Sequence, residues 1–222
     1  MTIKQRQTMI DGQLLPAGII DENLLRGFLH INREEFVDDD SGKNQKCAYS
    51  DKSLLLKHGR LMLPAIASGV LLQYAMLKKN DKVLLLGGGQ GYECNILAWM
   101  GIAVVAIQSG RDKIKKNILK GNFMVISGDM DITKGYKSLS PYKAIILLGL
   151  LKNIPEKLLS QLDDDGVMMT ILRDKNSPLY KNQIGNLVRI TKQKKIDYLG
   201  QVAGLSLMPE FIDEKTINRL AS

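Results

Sequence analysis

The chain has 222 residues, 45% of them hydrophobic, which fits one α/β domain and leaves little room for a second. No stretch approaches the roughly 18 consecutive apolar residues of a membrane span, and the N-terminus lacks the apolar run of a secretory signal, so we expect a soluble, cytoplasmic protein with no membrane partner. The formal net charge of +8 comes from lysines scattered along the chain, which predicts a solvated basic surface and no specific nucleic-acid partner.

Helical patterns dominate the first part of the chain. Apolar residues spaced by three and four predict helices over 3–11 and 21–31, with Asp21 as the N-cap of the second helix. The charged segment 38–44 is too polar to pack and is predicted to be a loop. A further apolar helix is predicted to begin at Pro64 and to reach Met76, before a turn at Asn80 and Asp81.

From residue 82 onward, short apolar runs alternate with longer helical or loop segments. The runs are continuous, as expected for strands buried on both faces of a parallel sheet, and they lie at 83–86, 104–107, 124–126, 144–148 and 167–172. The segments between them include 93–99, 112–119 and 155–162. This alternation predicts a doubly wound, mostly parallel sheet whose ligand lies at the carboxyl ends of the strands. The tail, especially 196–202, is compatible with added antiparallel strands.

A glycine-rich turn, Gly87-Gly88-Gly89-Gln90-Gly91-Tyr92, follows the first of these strands directly and leads into a helix. Glycines let the backbone approach a ligand closely, and the helix presents free N–H groups at its N-terminus. A dinucleotide fingerprint would place its third glycine at Tyr92, whereas this chain has the spacing G-x-G-x-G. That spacing resembles the S-adenosylmethionine site of class I methyltransferases. A glycine-rich turn without a ligand is the alternative.

Seven segments that occur in order along the chain resemble those of protein-L-isoaspartate O-methyltransferases. They are Met9–Leu14, Arg33–Val37, Ala48–Asp51, Val83–Tyr92, Ser127–Asp129, Pro141–Tyr142 and Ile154–Gly166. On this resemblance, which reaches from residue 9 to about 172, the chain is identified as a divergent member of that family with the Rossmann-like class I methyltransferase fold. Residues 1–80 are then an N-terminal helical and substrate-loop extension, and 81–222 form the core that binds S-adenosylmethionine.

The resemblance implies methyl transfer from S-adenosylmethionine to a carboxylate of damaged protein, so a protein or peptide is the expected substrate and S-adenosylhomocysteine the product. The cofactor contacts that it implies are Gly87, Gly88, Gly89, Gln90, Gly91, Gln108, Ser109, Gly128, Asp129, Met130 and Leu148. The implied substrate contacts are His58, Gly59, Arg60, Leu61 and Met62. A carboxylate is already ionised at neutral pH, so no strong general base is required and no catalytic residue is predicted.

Two departures from the family pattern concern the site. Between Gly59 and Ile66 the chain has no Ser or Thr, although the family holds the substrate carboxylate with a hydroxyl there. Gln108 stands where the family carries a carboxylate for the ribose hydroxyls, and an amide lacks the charge assistance of that contact. Arg60 either compensates by binding a carboxylate or is a surface arginine. The alternative function is therefore a catalytically inactive protein of this fold that acts as a binding or scaffold module.

Cysteine and histidine are too few to predict other chemistry. Cys47 and Cys94 lie on very different segments, which argues against a disulfide framework. Cys94 follows the glycine turn at a helix N-terminus, where it is either an activated thiol or, as we favour, a small packed side chain. His30 and His58 are far apart in the sequence, and no metal site is predicted.

Overall fold

The structure is a computed structural model that describes residues 3–37, 43–57, 61–87, 91–109, 123–128, 131–176, 183–205 and 208. Helix α1, Ile3–Met9, continues into a π-helical turn, Ile10–Leu14. Helix α2, Glu22–His30, begins where the Asp21 side chain accepts a hydrogen bond of 2.9 Å from the Leu24 N–H. This is the predicted N-cap, which satisfies one of the unpaired N–H groups of the first turn.

Short elements connect these helices to the rest of the fold. A 3₁₀ turn spans Arg33–Phe36, and helix α3 spans Lys43–Lys46. Strands β1, Leu54–Leu55, and β2, Leu61–Met62, pair antiparallel as a small separate sheet. The charged segment 38–44 was predicted as a loop. Its last two residues begin α3, and 38–42 lie outside the described residues.

The apolar helix predicted after Pro64 is confirmed as α4, Ala65–Tyr74. It ends two residues earlier than predicted, because Met76 has a φ of 52°, outside the helical region. The predicted turn is present as well. Asn80 has a left-handed φ of 72°, and the Asp81 carboxylate accepts a hydrogen bond of 2.7 Å from the Lys78 N–H.

The central sheet confirms the doubly wound prediction. Its five parallel strands are β3 Lys82–Leu86, β4 Ala103–Ser109, β5 Phe123–Gly128, β6 Tyr142–Leu151 and β7 Leu162–Arg173. Two antiparallel strands follow, β8 Gln183–Thr191 and β9 Ile196–Leu205. The sheet order is β5-β4-β3-β6-β7-β8-β9. The tail segment 196–202 therefore does add an antiparallel strand, and β8 is a second one that the sequence pattern did not delimit.

Helices cover both faces of the sheet, because side chains alternate between the faces along each strand. Val83 and Leu85 of β3 share one hydrophobic cluster with the N-terminal helices, α4 and α5, Tyr92–Trp99. Leu84 of β3 shares a second cluster with Leu158 of helix α6, Glu156–Leu159. This double burial explains why the predicted strands read as continuous apolar runs. The helix predicted over 112–119 lies outside the described residues.

Among the described residues, no helix combines the length and the apolar character that crossing a membrane requires. The same part of the chain contains no group of three or more His, Cys, Asp or Glu side chains arranged to hold a metal ion.

Candidate functional site

The winding of the sheet reverses at β3. This strand pairs with β4 on one side and with β6 on the other, so the chain leaves β3 in one direction and later returns to its opposite edge. In an open α/β sheet the ligand crevice lies outside the carboxyl ends of the strands at such a switch point. The glycine turn begins at this place, immediately after Leu86.

Strand register brings several predicted cofactor contacts to this same edge. Leu86 pairs with Ile107 and with Leu147, which places Gly87 beside the carboxyl-terminal halves of both neighbouring strands. Gln108 and Ser109 pair with Ser127 and Gly128 at the end of β5. The predicted contacts that the structure brings together by backbone position are Gly87, Gln108, Ser109, Gly128 and Leu148. Gly91 is described as well, at the N-terminus of α5. The remaining five predicted contacts, Gly88, Gly89, Gln90, Asp129 and Met130, lie outside the described residues.

The two described ends of the glycine turn both require glycine for conformational reasons. Gly87 has a φ of 74° and Gly91 a φ of 97°, values in the left-handed region that L side chains rarely adopt. Gly91 is also the N-cap of α5, and its carbonyl accepts hydrogen bonds from the Asn95 backbone N–H at 3.0 Å and from the Asn95 amide at 2.7 Å. Helix α5 therefore begins directly at the last glycine of the turn.

A residue from the far end of the chain also reaches this edge. A β-carbon built on Gly87 would lie 2.7 Å from Cε of Met208, and one built on Gly149 would lie 2.3 Å from Cγ of Met208. The Met208 N–H donates to the Leu150 carbonyl at 2.9 Å, and only 6% of the residue is exposed. Met208 and Gly149 thus belong to the wall of the crevice. Sequence reasoning missed both, and its one available signal was a lone glycine within the apolar run of β6.

The first turn of α5 carries buried polar groups. Ser68 Oγ donates a hydrogen bond of 2.7 Å to Glu93 Oε1, and burial raises the pKa of the Glu93 carboxyl. Burial also raises the pKa of the Cys94 thiol to about 12, so this cysteine is neutral at physiological pH. An activated cysteine is instead partly exposed and has a lowered pKa. The favoured interpretation of Cys94 as a packed side chain is supported.

The predicted substrate segment leads into α4. His58, Gly59 and Arg60 lie outside the described residues, whereas Leu61 and Met62 form β2. The Met62 side chain is buried in the core, so its backbone is the part that remains for a substrate contact. Beside this segment a cleft of about 540 Å³ opens between the 51–53 loop, the first turn of α4 and strands β8 and β9.

Comparisons with known proteins agree on one family. The family described as protein-L-isoaspartate(D-aspartate) O-methyltransferase matches residues 4–205. A protein-L-isoaspartate O-methyltransferase of Petrotoga mobilis is 30% identical over 220 residues, which cover 94% of this chain and 97% of that protein. That of Herpetosiphon aurantiacus is 29% identical over 196 residues, covering 86% and 82%.

Two solved structures share the fold. A protein-L-isoaspartate O-methyltransferase superposes with a TM-score of 0.72 at 22% identity, covering 97% of this chain and 69% of that one. A second, from Plasmodium falciparum and described in complex with S-adenosyl-L-homocysteine, gives a TM-score of 0.70 at 20% identity, covering 91% and 98%.

Proposed function

Since this chain belongs to the protein-L-isoaspartate O-methyltransferase family, we propose that it transfers a methyl group from S-adenosylmethionine to a carboxylate of damaged protein. The observation that carries the proposal is the extent of the family match. It spans residues 4–205, and so includes the glycine turn, the strand ends at the crevice and the β2 segment together.

The described residues fit the cofactor. The left-handed Gly87 and Gly91 leave the turn without side chains at both ends, and the N-terminus of α5 offers free N–H groups beside it. The last residues of β4 and β5, Gln108–Ser109 and Ser127–Gly128, lie at the same edge of the sheet as this turn. We assign the cofactor contacts to Gly87–Gly91, Gln108–Ser109, Gly128–Met130 and Leu148. When bound, S-adenosylmethionine supplies an electrophilic methyl group on a sulfonium sulfur.

The chemistry demands positioning more than proton transfer. A carboxylate oxygen of the substrate forms a bond to the methyl carbon while the carbon–sulfur bond breaks, and the electron pair of that bond remains on sulfur. The products are a methyl ester and S-adenosylhomocysteine, and no proton moves. Arg60 is the residue that we assign to the substrate carboxylate, because a guanidinium binds carboxylates bidentately and the segment contains no hydroxyl side chain. His58, Gly59, Leu61 and Met62 are assigned to the substrate backbone.

The two departures from the family pattern predict a weakened enzyme. Without a carboxylate at position 108, cofactor binding loses a charge-assisted hydrogen bond, and such bonds contribute roughly 1.5–3 kcal/mol. We therefore expect an affinity for S-adenosylhomocysteine that is about one to two decades lower than with a carboxylate there. Transfer itself is expected to be slow, because a misplacement of about 1 Å costs roughly a hundredfold in rate.

Two measurements on the purified protein test the proposal. Calorimetric titration with S-adenosylhomocysteine reads binding, and release of labelled methanol from an isoaspartyl peptide reads transfer, with the same peptide containing ordinary aspartate as the control. Binding with slow transfer to the isoaspartyl peptide alone is the expected result. Binding without transfer to either peptide would identify a binding or scaffold module, and the lack of both would overturn the proposal.

A further inference from the structure

Arg33 is the largest side chain that is fully buried in the described part of the protein, with 0% exposure. It begins the 3₁₀ turn Arg33–Phe36, outside the crevice and outside the set of predicted cofactor and substrate contacts. Removing a guanidinium from water is costly unless its N–H groups and charge find partners. The partners that Arg33 has found are therefore informative about its role.

Three segments meet on this one side chain. Arg33 Nε donates a hydrogen bond of 2.8 Å to the Ala48 carbonyl, and Nη2 donates to the Leu63 carbonyl. Its Cζ lies 4.9 Å from the centre of the Tyr92 ring, which is the geometry of a cation–π contact. Leu63 directly follows the proposed substrate segment, and Tyr92 directly follows the last glycine of the cofactor turn.

The Tyr92 ring is buried and is packed against other aromatic rings. The Tyr92 ring contacts the rings of Phe28 and Phe36, with centroids 6.0 Å and 5.6 Å away. The next residue, Glu93, is tied to α4 through its hydrogen bond with Ser68. Arg33 therefore connects Leu63, which follows the substrate segment, to Tyr92, which is the first residue of α5.

Two poorly satisfied hydrogen-bonding groups, one on Arg33 and one on Tyr92, argue against a purely stabilising role for Arg33. Within the described residues, no hydrogen bond of normal geometry satisfies Arg33 Nη1 or the buried Tyr92 hydroxyl, although the Arg33 guanidinium lies near that hydroxyl and partly offsets the rise that burial causes in the pKa of Tyr92. A buried polar group left unsatisfied costs free energy, and an apolar side chain of similar volume would avoid that cost. What an apolar side chain would not do is hold two carbonyls in fixed directions against an aromatic ring.

We propose that Arg33 is a positioning residue. By contacting both Leu63 and Tyr92, it sets the distance between the end of the substrate segment and the end of the cofactor turn. This inference rests on the proposed methyltransferase function. The hydrogen bonds of Arg33 and its contact with an aromatic ring go to Ala48, Leu63 and Tyr92, none of which is a proposed cofactor or substrate contact, so we expect its effect on the reaction to pass through Leu63 and Tyr92.

The test compares Arg33→Lys with Arg189→Lys. Lysine keeps the charge at position 33 but loses the planar fork that reaches two carbonyls. Arg189 is the control because it is a partly buried arginine away from both segments, and its Nη1 donates to Asp197 at 3.3 Å, which links strands β8 and β9. Tyr92→Leu is a second variant, which removes the ring while leaving both hydrogen bonds of Arg33. It keeps the test open if Arg33→Lys does not fold.

The kinetic readout is a split between kcat and KM. In Arg33→Lys and Tyr92→Leu we expect kcat to fall by about 10- to 100-fold, while the KM values for peptide and cofactor and the affinity for S-adenosylhomocysteine stay within about threefold. Arg189→Lys should match the wild type. Equal losses in binding and kcat would indicate a merely structural role and overturn the proposal, as would unchanged kcat in a folded variant.

Hydrogen exchange of the protein without ligands separates this inference from the proposed function. In Arg33→Lys, amide exchange should accelerate both at 61–63 and at 91–95, and in Arg189→Lys at neither. Acceleration in only one of these segments, or in neither, would overturn the connection made by Arg33. A wild-type protein that transfers no methyl group would overturn the proposed function, and with it the kinetic consequence, while the exchange result still decides the connection.

Discussion

Cγ of Met208 lies 2.3 Å from the place where a β-carbon on Gly149 would stand, and Sδ lies 2.5 Å from it. Non-bonded atoms do not approach one another so closely, so the Met208 side chain fills the space that a side chain at position 149 would need. The same methionine closes on Gly87 with its terminal methyl group. Met208 therefore packs against both Gly87 and Gly149 at one side of the proposed cofactor crevice.

Gly149→Ala is expected to destabilise the protein. The new methyl group would meet Cγ and Sδ of Met208, which lie near the Met208 main chain and therefore cannot move aside as easily as its terminal methyl group. Overpacking of this kind costs about 1–3 kcal/mol, measured as the free energy of unfolding in denaturant. Met208→Ala provides the control, since the double variant should lose less stability than the two single losses added together. Strict additivity would show that the two side chains do not share this space in solution.

Gly87→Ala tests a different cause of destabilisation at the same wall. The described side-chain atoms nearest to a β-carbon there belong to the flexible end of Met208, so steric conflict is a minor factor. The φ of 74° should dominate, at roughly 1–2 kcal/mol for an L-residue in the left-handed region. The cost should therefore persist unchanged in a Met208→Ala background. Its disappearance there would assign the glycine requirement to packing.

Gln108→Glu is expected to strengthen the binding of S-adenosylhomocysteine by about a factor of ten, because a charge-assisted hydrogen bond to the ribose contributes more than a neutral one, by roughly 1–2 kcal/mol. Gln193→Glu, in the exposed turn between β8 and β9 at the opposite edge of the sheet, adds the same charge away from the crevice and should leave the affinity unchanged. Calorimetric titration measures both. An equal gain in the two variants would reflect net charge alone.

Glu93→Gln should change the pH dependence of stability. Burial raises the pKa of Glu93 above its unfolded value, although the nearby Arg33 charge opposes the shift. A raised pKa in the folded state means that the contribution to stability is complete below the unfolded pKa and is lost as pH rises through the folded pKa.

The variant and the wild type should accordingly have similar free energies of unfolding near pH 4, and the variant should be the more stable at pH 8. Between the two pKa values the difference should grow by at most about 1.4 kcal/mol per pH unit. Glutamine retains an oxygen that accepts from Ser68, so loss of that bond does not confuse the comparison. A difference that shrinks with rising pH would contradict the prediction.

The sequence by itself determined the features that depend on neighbouring residues. Continuous apolar runs identified all five parallel strands, since a strand buried on both faces needs no polar alternation. Asp21 marked the start of α2 because its side chain caps a backbone N–H only three residues away. The glycine turn could also be recognised from the local sequence, because the left-handed conformations at Gly87 and Gly91 exclude most other residues.

The tertiary structure alone decided which distant residues meet at the site. Arg33 donates to carbonyls that are 15 and 30 residues away, and nothing in the local pattern of its 3₁₀ turn indicates burial. Met208 reaches both Gly87 and Gly149 only because β6 lies beside β3, which brings these two glycines within reach of one side chain. Periodicity and turn chemistry act over a few residues, whereas contacts of this kind depend on how the strands are ordered and on which side chains fill the space between them.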